Sequence, residues 1–216
     1  MTTIKFCGLT RPVDAMLAES LGAAYGGVVF AASPRRVTPS LASEIFAPAP
    51  KLRRVGVFGH AAHAELIRAA SIAELDVMQL HSHFTVPEIA RLRDDFEGEL
   101  WAVVPVERDG SGLPDGWREL ADVVDALLLD TSVRGVSGGS GQSFDWHAVA
   151  PDVEEAVKEI PVVLAGGLNP SNVSDAIAIL RPHVVDVSSG VESEPGVKDP
   201  ALMTAFARAV RSASIV

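Results

Sequence analysis

The chain has 216 residues, 48% of them hydrophobic, with a formal charge of -10 and an isoelectric point near 5.0. That length supports one sizeable core, read as a single domain over residues 1–216. The acidic balance without any Lys/Arg-rich block argues against a nucleic-acid partner, and the lack of an uninterrupted apolar run of spanning length argues against a membrane one.

Cys7 is the lone cysteine, so no internal disulfide framework is possible. The opening residues run directly into a strand pattern without the basic and apolar blocks of a secretory leader, and the expectation is a soluble, cytoplasmic protein.

The first strand is read over residues 4–8, within Lys5-Phe-Cys-Gly-Leu-Thr10. Alternation puts Lys5 and Cys7 on one side of it, with Cys7 at the strand end, where an α/β barrel places its chemistry. A thiol serves as a base at neutral pH only if positive charge or dipoles stabilise the thiolate; the competing reading is a small buried hydrophobe. Lys5, one layer deeper, is tolerable inside a barrel only when paired, and Asp186 on the eighth strand is its predicted partner.

A helix over 12–20 and a strand over 27–30 lead to Ser33-Pro-Arg-Arg-Val-Thr-Pro39. On a barrel-top loop, Arg35 or Arg36 can bind a carboxylate through two parallel hydrogen bonds, or can simply be a solvated charge. A helix over 39–46, a strand over 54–58 and a helix over 61–70 follow. The next strand, 77–80, ends at His81, which could line the pocket. The pairs His60 with His63 and His81 with His83 lack a third clear ligand, so no metal site is expected.

A helix over 86–95, a strand over 100–106 and a helix over 117–121 precede the apolar run 126–130, which ends in Asp130. Burial at that place raises a carboxyl toward the range of a general acid; a capping or loop aspartate is the alternative. Beyond the glycine-rich loop 135–141 come a helix over 146–150, a strand over 161–165, a helix over 171–180, a strand over 184–188 and a helix over 200–210. Thr38-Pro39, Asn169-Pro170 and Asp199-Pro200 each combine a helix-capping residue with a first-turn proline.

Eight strand-helix pairs fit an α/β fold of the (β/α)8 TIM barrel type; a doubly wound open sheet, the rival, usually has fewer strands. In such barrels the loops after the last two strands commonly bind phosphate. Here they carry Gly166 and Gly167, and then Ser188, Ser189 and Gly190. Free backbone amides can hold an anion there without a lysine, although a single Gly-Gly pair could equally be turn chemistry.

Together and in order, these motifs resemble the phosphoribosylanthranilate isomerase family of tryptophan biosynthesis over essentially the whole chain. The matching segments are Lys5-Phe-Cys-Gly-Leu-Thr10, Ser33-Pro-Arg-Arg-Val-Thr-Pro39, Arg54-Val-Gly-Val-Phe58, Gln79-Leu-His81, Leu127-Leu-Leu-Asp130, Gly138-Gly-Ser-Gly141, Phe144-Asp-Trp146, Ala165-Gly-Gly-Leu-Asn-Pro170 and Asp186-Val-Ser-Ser-Gly-Val-Glu192. The resemblance implies Cys7 as general base, Asp130 as general acid, Arg35 as the anthranilate carboxylate contact, and Gly167, Ser188, Ser189 and Gly190 around the phosphate.

It implies an Amadori rearrangement of a small phosphosugar substrate without metal or organic cofactor, in a monomer or homodimer, with the loop 134–142 closing over the sugar. Trp101, Ser82 and Gly59-His60 depart from the family pattern and are expected to alter pocket shape rather than reaction type. Two rivals remain. A related histidine-pathway isomerase would carry aspartate at the end of strand one and a second phosphate site, against Cys7 and the turn 57–60. A phosphosugar-binding barrel without turnover would have little use for both Cys7 and Asp130.

Overall fold

The computed structural model describes residues 1–81, 84–108, 111–131 and 143–213. Eight parallel strands close a barrel in sequence order: β1 (Thr3–Phe6), β2 (Tyr25–Val29), β3 (Arg53–Phe58), β4 (Val77–Leu80), β5 (Glu99–Val106), β6 (Ala126–Thr131), β7 (Val162–Leu164) and β8 (Val184–Val187). The ring closes where β8 pairs with β1, in a register that sets Lys5 beside Asp186.

Around it run α1 (Pro12–Ser20), α2 (Pro39–Phe46), α3 (His63–Ala73), α4 (Val86–Asp95), α5 (Trp117–Ala121), α6 (Trp146–Glu159), α7 (Val173–Leu180) and α8 (Pro200–Ala213). No described helix is long and apolar enough to cross a membrane.

Strand alternation divides the apolar residues between two cores. Outward residues such as Phe6, Met78, Leu100, Leu127 and Val185 pack against the helices, and Val55, Val77, Trp101, Leu128 and Val163 fill the barrel interior. Nearer the C-terminal ends of the strands, Cys7, Val29 and Val57 form a third small cluster.

Thr38 caps α2, and Thr85 with Glu88 forms a reciprocal cap on α4. Asp199 caps α8 by accepting from the amides of Ala201 and Leu202.

Three departures from the sequence reading have local causes. Helix α6 does not stop at residue 150 but runs through Pro151 to Glu159. Burial of Val149, Val153 and Ala156 along one face outweighs the single helical hydrogen bond that a proline removes. Asn169 does not cap α7, which starts only at Val173; its carboxamide oxygen instead accepts from the Ser171 amide in a turn before the helix. Beyond β8, a 3-10 turn (Ser189–Val191) leads into an antiparallel hairpin, β9 (Glu192–Glu194) with β10 (Val197–Lys198), which has no counterpart in the sequence reading. The loop 134–142, expected to cover the sugar, lies outside the described residues.

Candidate active site

The site gathers at the C-terminal mouth of the barrel, on β1, β4, β6 and β8. Lys5 and Cys7 point to the same interior side, as alternation requires, and the missing side chain of Gly27 on β2 makes room for both. A Cβ there would lie 3.1 Å from Cys7 Sγ and 3.2 Å from Lys5 Nζ. Lys5, fully buried, donates to Asp186 Oδ2 at 2.8 Å, so the predicted ion pair is present. Burial pulls the Lys5 ammonium down, but the adjacent Asp186 carboxylate carries it above its ordinary value. Burial also pushes the Cys7 thiol up, and the positive charges of Lys5 and Lys198 only partly oppose it. The cationic neighbours a thiolate base requires are therefore in place, while the resting group is the thiol.

Asp130 is the penultimate residue of β6, an inward strand residue and not a helix cap. Burial first, and then repulsion from Asp186, push its carboxyl up to about 6, against the Thr131 backbone hydrogen bond and the Lys5 charge. His81, following β4, brings Nε2 to 3.9 Å from Asp130 Oδ2. Burial and the Lys5 charge lower its pKa and keep the ring neutral. Its Nδ1 is buried without a partner among the described residues, and so are Gln79 Oε1 and Asp186 Oδ1.

The two loops expected to hold phosphate meet each other. Gly166 and Gly167 both have positive φ, at 83° and 67°, a conformation side chains disfavour. Gly190 lies so close to the Leu168 carbonyl that a Cβ would collide with it. The carboxamides of Asn169 and Asn172 donate to the Gly167 carbonyl at 3.3 and 3.0 Å and fix the turn. No described acceptor takes the amide hydrogens of Gly166, Gly167, Ser189 or Gly190. With Ser188 they lie on two touching loops, and unpaired backbone donors are what an anion favours.

Arg35 crosses above Gly8 and meets an internal carboxylate. Its Nε donates to Glu192 Oε1 at 2.8 Å and its Nη2 to Glu192 Oε2 at 2.6 Å. Fully buried Lys198 donates to the same Glu192 Oε1 at 2.7 Å and to the Ser188 carbonyl at 3.1 Å. Glu192 and Lys198 escaped the sequence reading as site residues. Glu192 stood in a quoted motif without a role, and Lys198 lies on a two-residue strand without periodicity.

Residues 4–209 match the family described as N-(5'-phosphoribosyl)anthranilate (PRA) isomerase. The chain belongs to that family. It is 39% identical over 217 residues to an N-(5'-phosphoribosyl)anthranilate isomerase of Pseudomonas fluorescens, covering 96% of this chain and 97% of that one. Among solved structures, phosphoribosyl anthranilate isomerase from Thermus thermophilus superposes with a TM-score of 0.83 at 34% identity, over 98% of this chain and 99% of that one. Another phosphoribosyl anthranilate isomerase, solved in complex with reduced 1-(o-carboxyphenylamino)-1-deoxyribulose 5-phosphate, gives 0.82 at 30% identity, over 98% of this chain and 100% of that one.

Departures from this isomerase pattern fall mostly outside the mouth. Trp101 sits lower in the barrel, edge-on to Tyr25 at 4.9 Å, with its Nε1 donating to Glu99. His60 and His63 border an outer cleft of about 430 Å³ with Phe84 and Glu88 between α3 and α4. His63 pairs there with Asp95 at 2.8 Å. Ser82 and His83 lie outside the described residues, and β4 ends before them. Among the described residues no group of three or more His, Cys, Asp or Glu side chains could hold a metal ion.

Proposed function

We propose that Cys7 and Asp130 carry out the Amadori rearrangement of N-(5'-phosphoribosyl)anthranilate to 1-(2-carboxyphenylamino)-1-deoxyribulose 5-phosphate, the isomerase step for which the family is named. One observation carries the reading: the thiol at the end of β1 and the carboxyl at the end of β6 both feel the same buried Lys5–Asp186 pair. A sugar held above that pair meets an acid on one side and a base on the other.

Asp130 gives its proton to the ribose ring oxygen, the C1–O bond breaks, and the anilino nitrogen donates its lone pair to form a protonated Schiff base. The Cys7 thiolate then removes the C2 proton, and the electrons of that bond move to leave a neutral enolamine, which ketonises to the product. A carboxyl near 6 is protonated at neutral pH far more often than one in the ordinary aspartate range, so the acid is available to donate. The Cys7 thiolate draws on Lys5 and Lys198 for its charge stabilisation.

The amides of Gly166, Gly167, Ser189 and Gly190, with Ser188, receive the phosphate; Arg35 receives the anthranilate carboxylate, and neutral His81 borders the sugar. The working unit is residues 1–216 as one domain, monomeric or homodimeric, in a cytoplasm that keeps the free Cys7 reduced. Incubation of the protein with freshly formed phosphoribosylanthranilate should extinguish its anthranilate fluorescence. Binding without fluorescence loss would mean a phosphosugar-binding barrel instead.

A further inference from the structure

We propose that Glu192 and Lys198 are positioning residues for the substrate carboxylate: Glu192 grips Arg35 along one edge and turns its other edge toward the substrate, and Lys198 tethers Glu192 to the phosphate loop. The inference rests on the reading of Arg35 as the carboxylate contact.

A guanidinium offers two forks of paired N–H groups, one side-on through Nε and Nη2 and one end-on through Nη1 and Nη2. Glu192 occupies the side-on fork, at 2.8 and 2.6 Å. No described group accepts from Nη1, so the end-on fork stays available for a second, bidentate carboxylate. The Arg35 side chain is only 15% exposed and that of Glu192 only 4%, so the grip is shielded from water and from salt.

Glu192 alone would cancel the charge that should attract the substrate. Lys198 prevents this, because, fully buried, it supplies a second cation to Glu192 Oε1, the oxygen that also accepts from Arg35 Nε. Two cations and one anion leave the cluster a single net positive charge.

Lys198 also donates to the Ser188 carbonyl, at the start of the loop whose next two amides are those proposed to receive the phosphate. One ammonium thus joins the carboxylate anchor to the phosphate anchor and sets their separation. The hairpin of β9 and β10 exists to bring Lys198 back beneath Glu192, whose partner across the ladder it is. A ligand must therefore carry its carboxylate and its phosphate a fixed distance apart, which is a means of selecting an N-aryl aminosugar phosphate over a shorter phosphosugar.

The test compares dissociation constants, by calorimetry, of reduced 1-(o-carboxyphenylamino)-1-deoxyribulose 5-phosphate and of the same compound without its ring carboxylate. The intact protein should prefer the carboxylated ligand by about 10- to 100-fold. Arg35→Ala should abolish the preference. Glu192→Gln should reduce it to within about threefold while leaving affinity for the ligand without carboxylate nearly unchanged, an outcome that general loosening of the fold would not give.

Because Glu192→Gln strands a buried ammonium, the double variant Glu192→Gln with Lys198→Met serves as the folded alternative and should show the same loss. Glu192→Asp keeps the charge but withdraws the acceptor, and should fall between. Full preference in the Glu192 variants, with loss in Arg35→Ala, would overturn the positioning role alone. Full preference in Arg35→Ala would overturn the carboxylate reading and this inference with it.

Discussion

The two ends of the barrel are built from the same apolar walls and treat their polar groups in opposite ways. At the floor, Arg53 pairs with Glu99 at 2.6 Å and lies over the Tyr25 ring, the Tyr25 hydroxyl accepts from Arg53, and Trp101 donates to Glu99. At the mouth, Gln79, His81 and Asp186 each keep a buried atom without a described partner, and Asp130 is held far from its ordinary pKa. The floor satisfies its groups and supports the fold; the mouth leaves them unsatisfied, where a ligand can complete them.

That contrast can be broken in several places, and the largest effect is expected at the charge pair beside Cys7 and Asp130. Lys5→Met strands Asp186 in the interior, and chemical denaturation should report a loss of about 3–5 kcal/mol. A loss under about 1 kcal/mol would mean that the pair is not buried as described.

Next come the proposed acid and base. Cys7→Ala and Asp130→Asn should each lower kcat by at least about 100-fold, with smaller changes in KM. Unimpaired turnover in either variant would remove that residue from the mechanism.

A change of comparable size but opposite sign should appear in stability. The Asp130 carboxyl stands at about 6 in the folded chain against 3.8 when free, so the folded state binds the extra proton between those values. Stability therefore falls as pH rises from about 4 to about 6, and the penalty is complete above that range. Asp130→Asn removes a penalty of up to about 3 kcal/mol, and its Tm near neutral pH should exceed that of the parent chain, with the gap closing toward pH 4. Equal Tm values at both pH values would show that Asp130 is not destabilised by burial.

The smallest effect belongs to the floor. Arg53→Met should cost about 0.5–1 kcal/mol, since Arg53 and Glu99 are both over a third exposed, and kcat should not change. A fall in kcat would mean that floor and mouth are coupled.

Strand order, the eight-fold repeat and the facing of Lys5 and Cys7 were legible in the sequence because alternation and apolar runs report directly on which face is buried. Asp130 and the glycine loops were legible because they end such runs. The Arg35–Glu192–Lys198 cluster was not, since it depends on a hairpin of two very short strands rich in charge. Helix α6 was misread at Pro151 because a local propensity argument cannot weigh the burial of Val153 and Ala156 beyond it. Asn169 was misread for a related reason: its capping chemistry is spent on the turn that fixes Gly167.

The central claim, that Asp130 donates and Cys7 accepts, gives kcat/KM a distinctive pH dependence. With the carboxyl near 6 and the thiol above its ordinary value, the productive form, protonated at Asp130 and ionised at Cys7, is a minority species. Its population rises with pH up to about 6, stays level until the thiol titrates, and falls beyond. The substrate phosphate titrates near the same pH, so the decisive measurement is kcat/KM from pH 5 to 8 for the parent chain and for Asp130→Asn. A bend at about pH 6 that shrinks to the phosphate contribution in the variant is the predicted result; superimposable profiles, differing at most by a constant factor, would contradict the assignment.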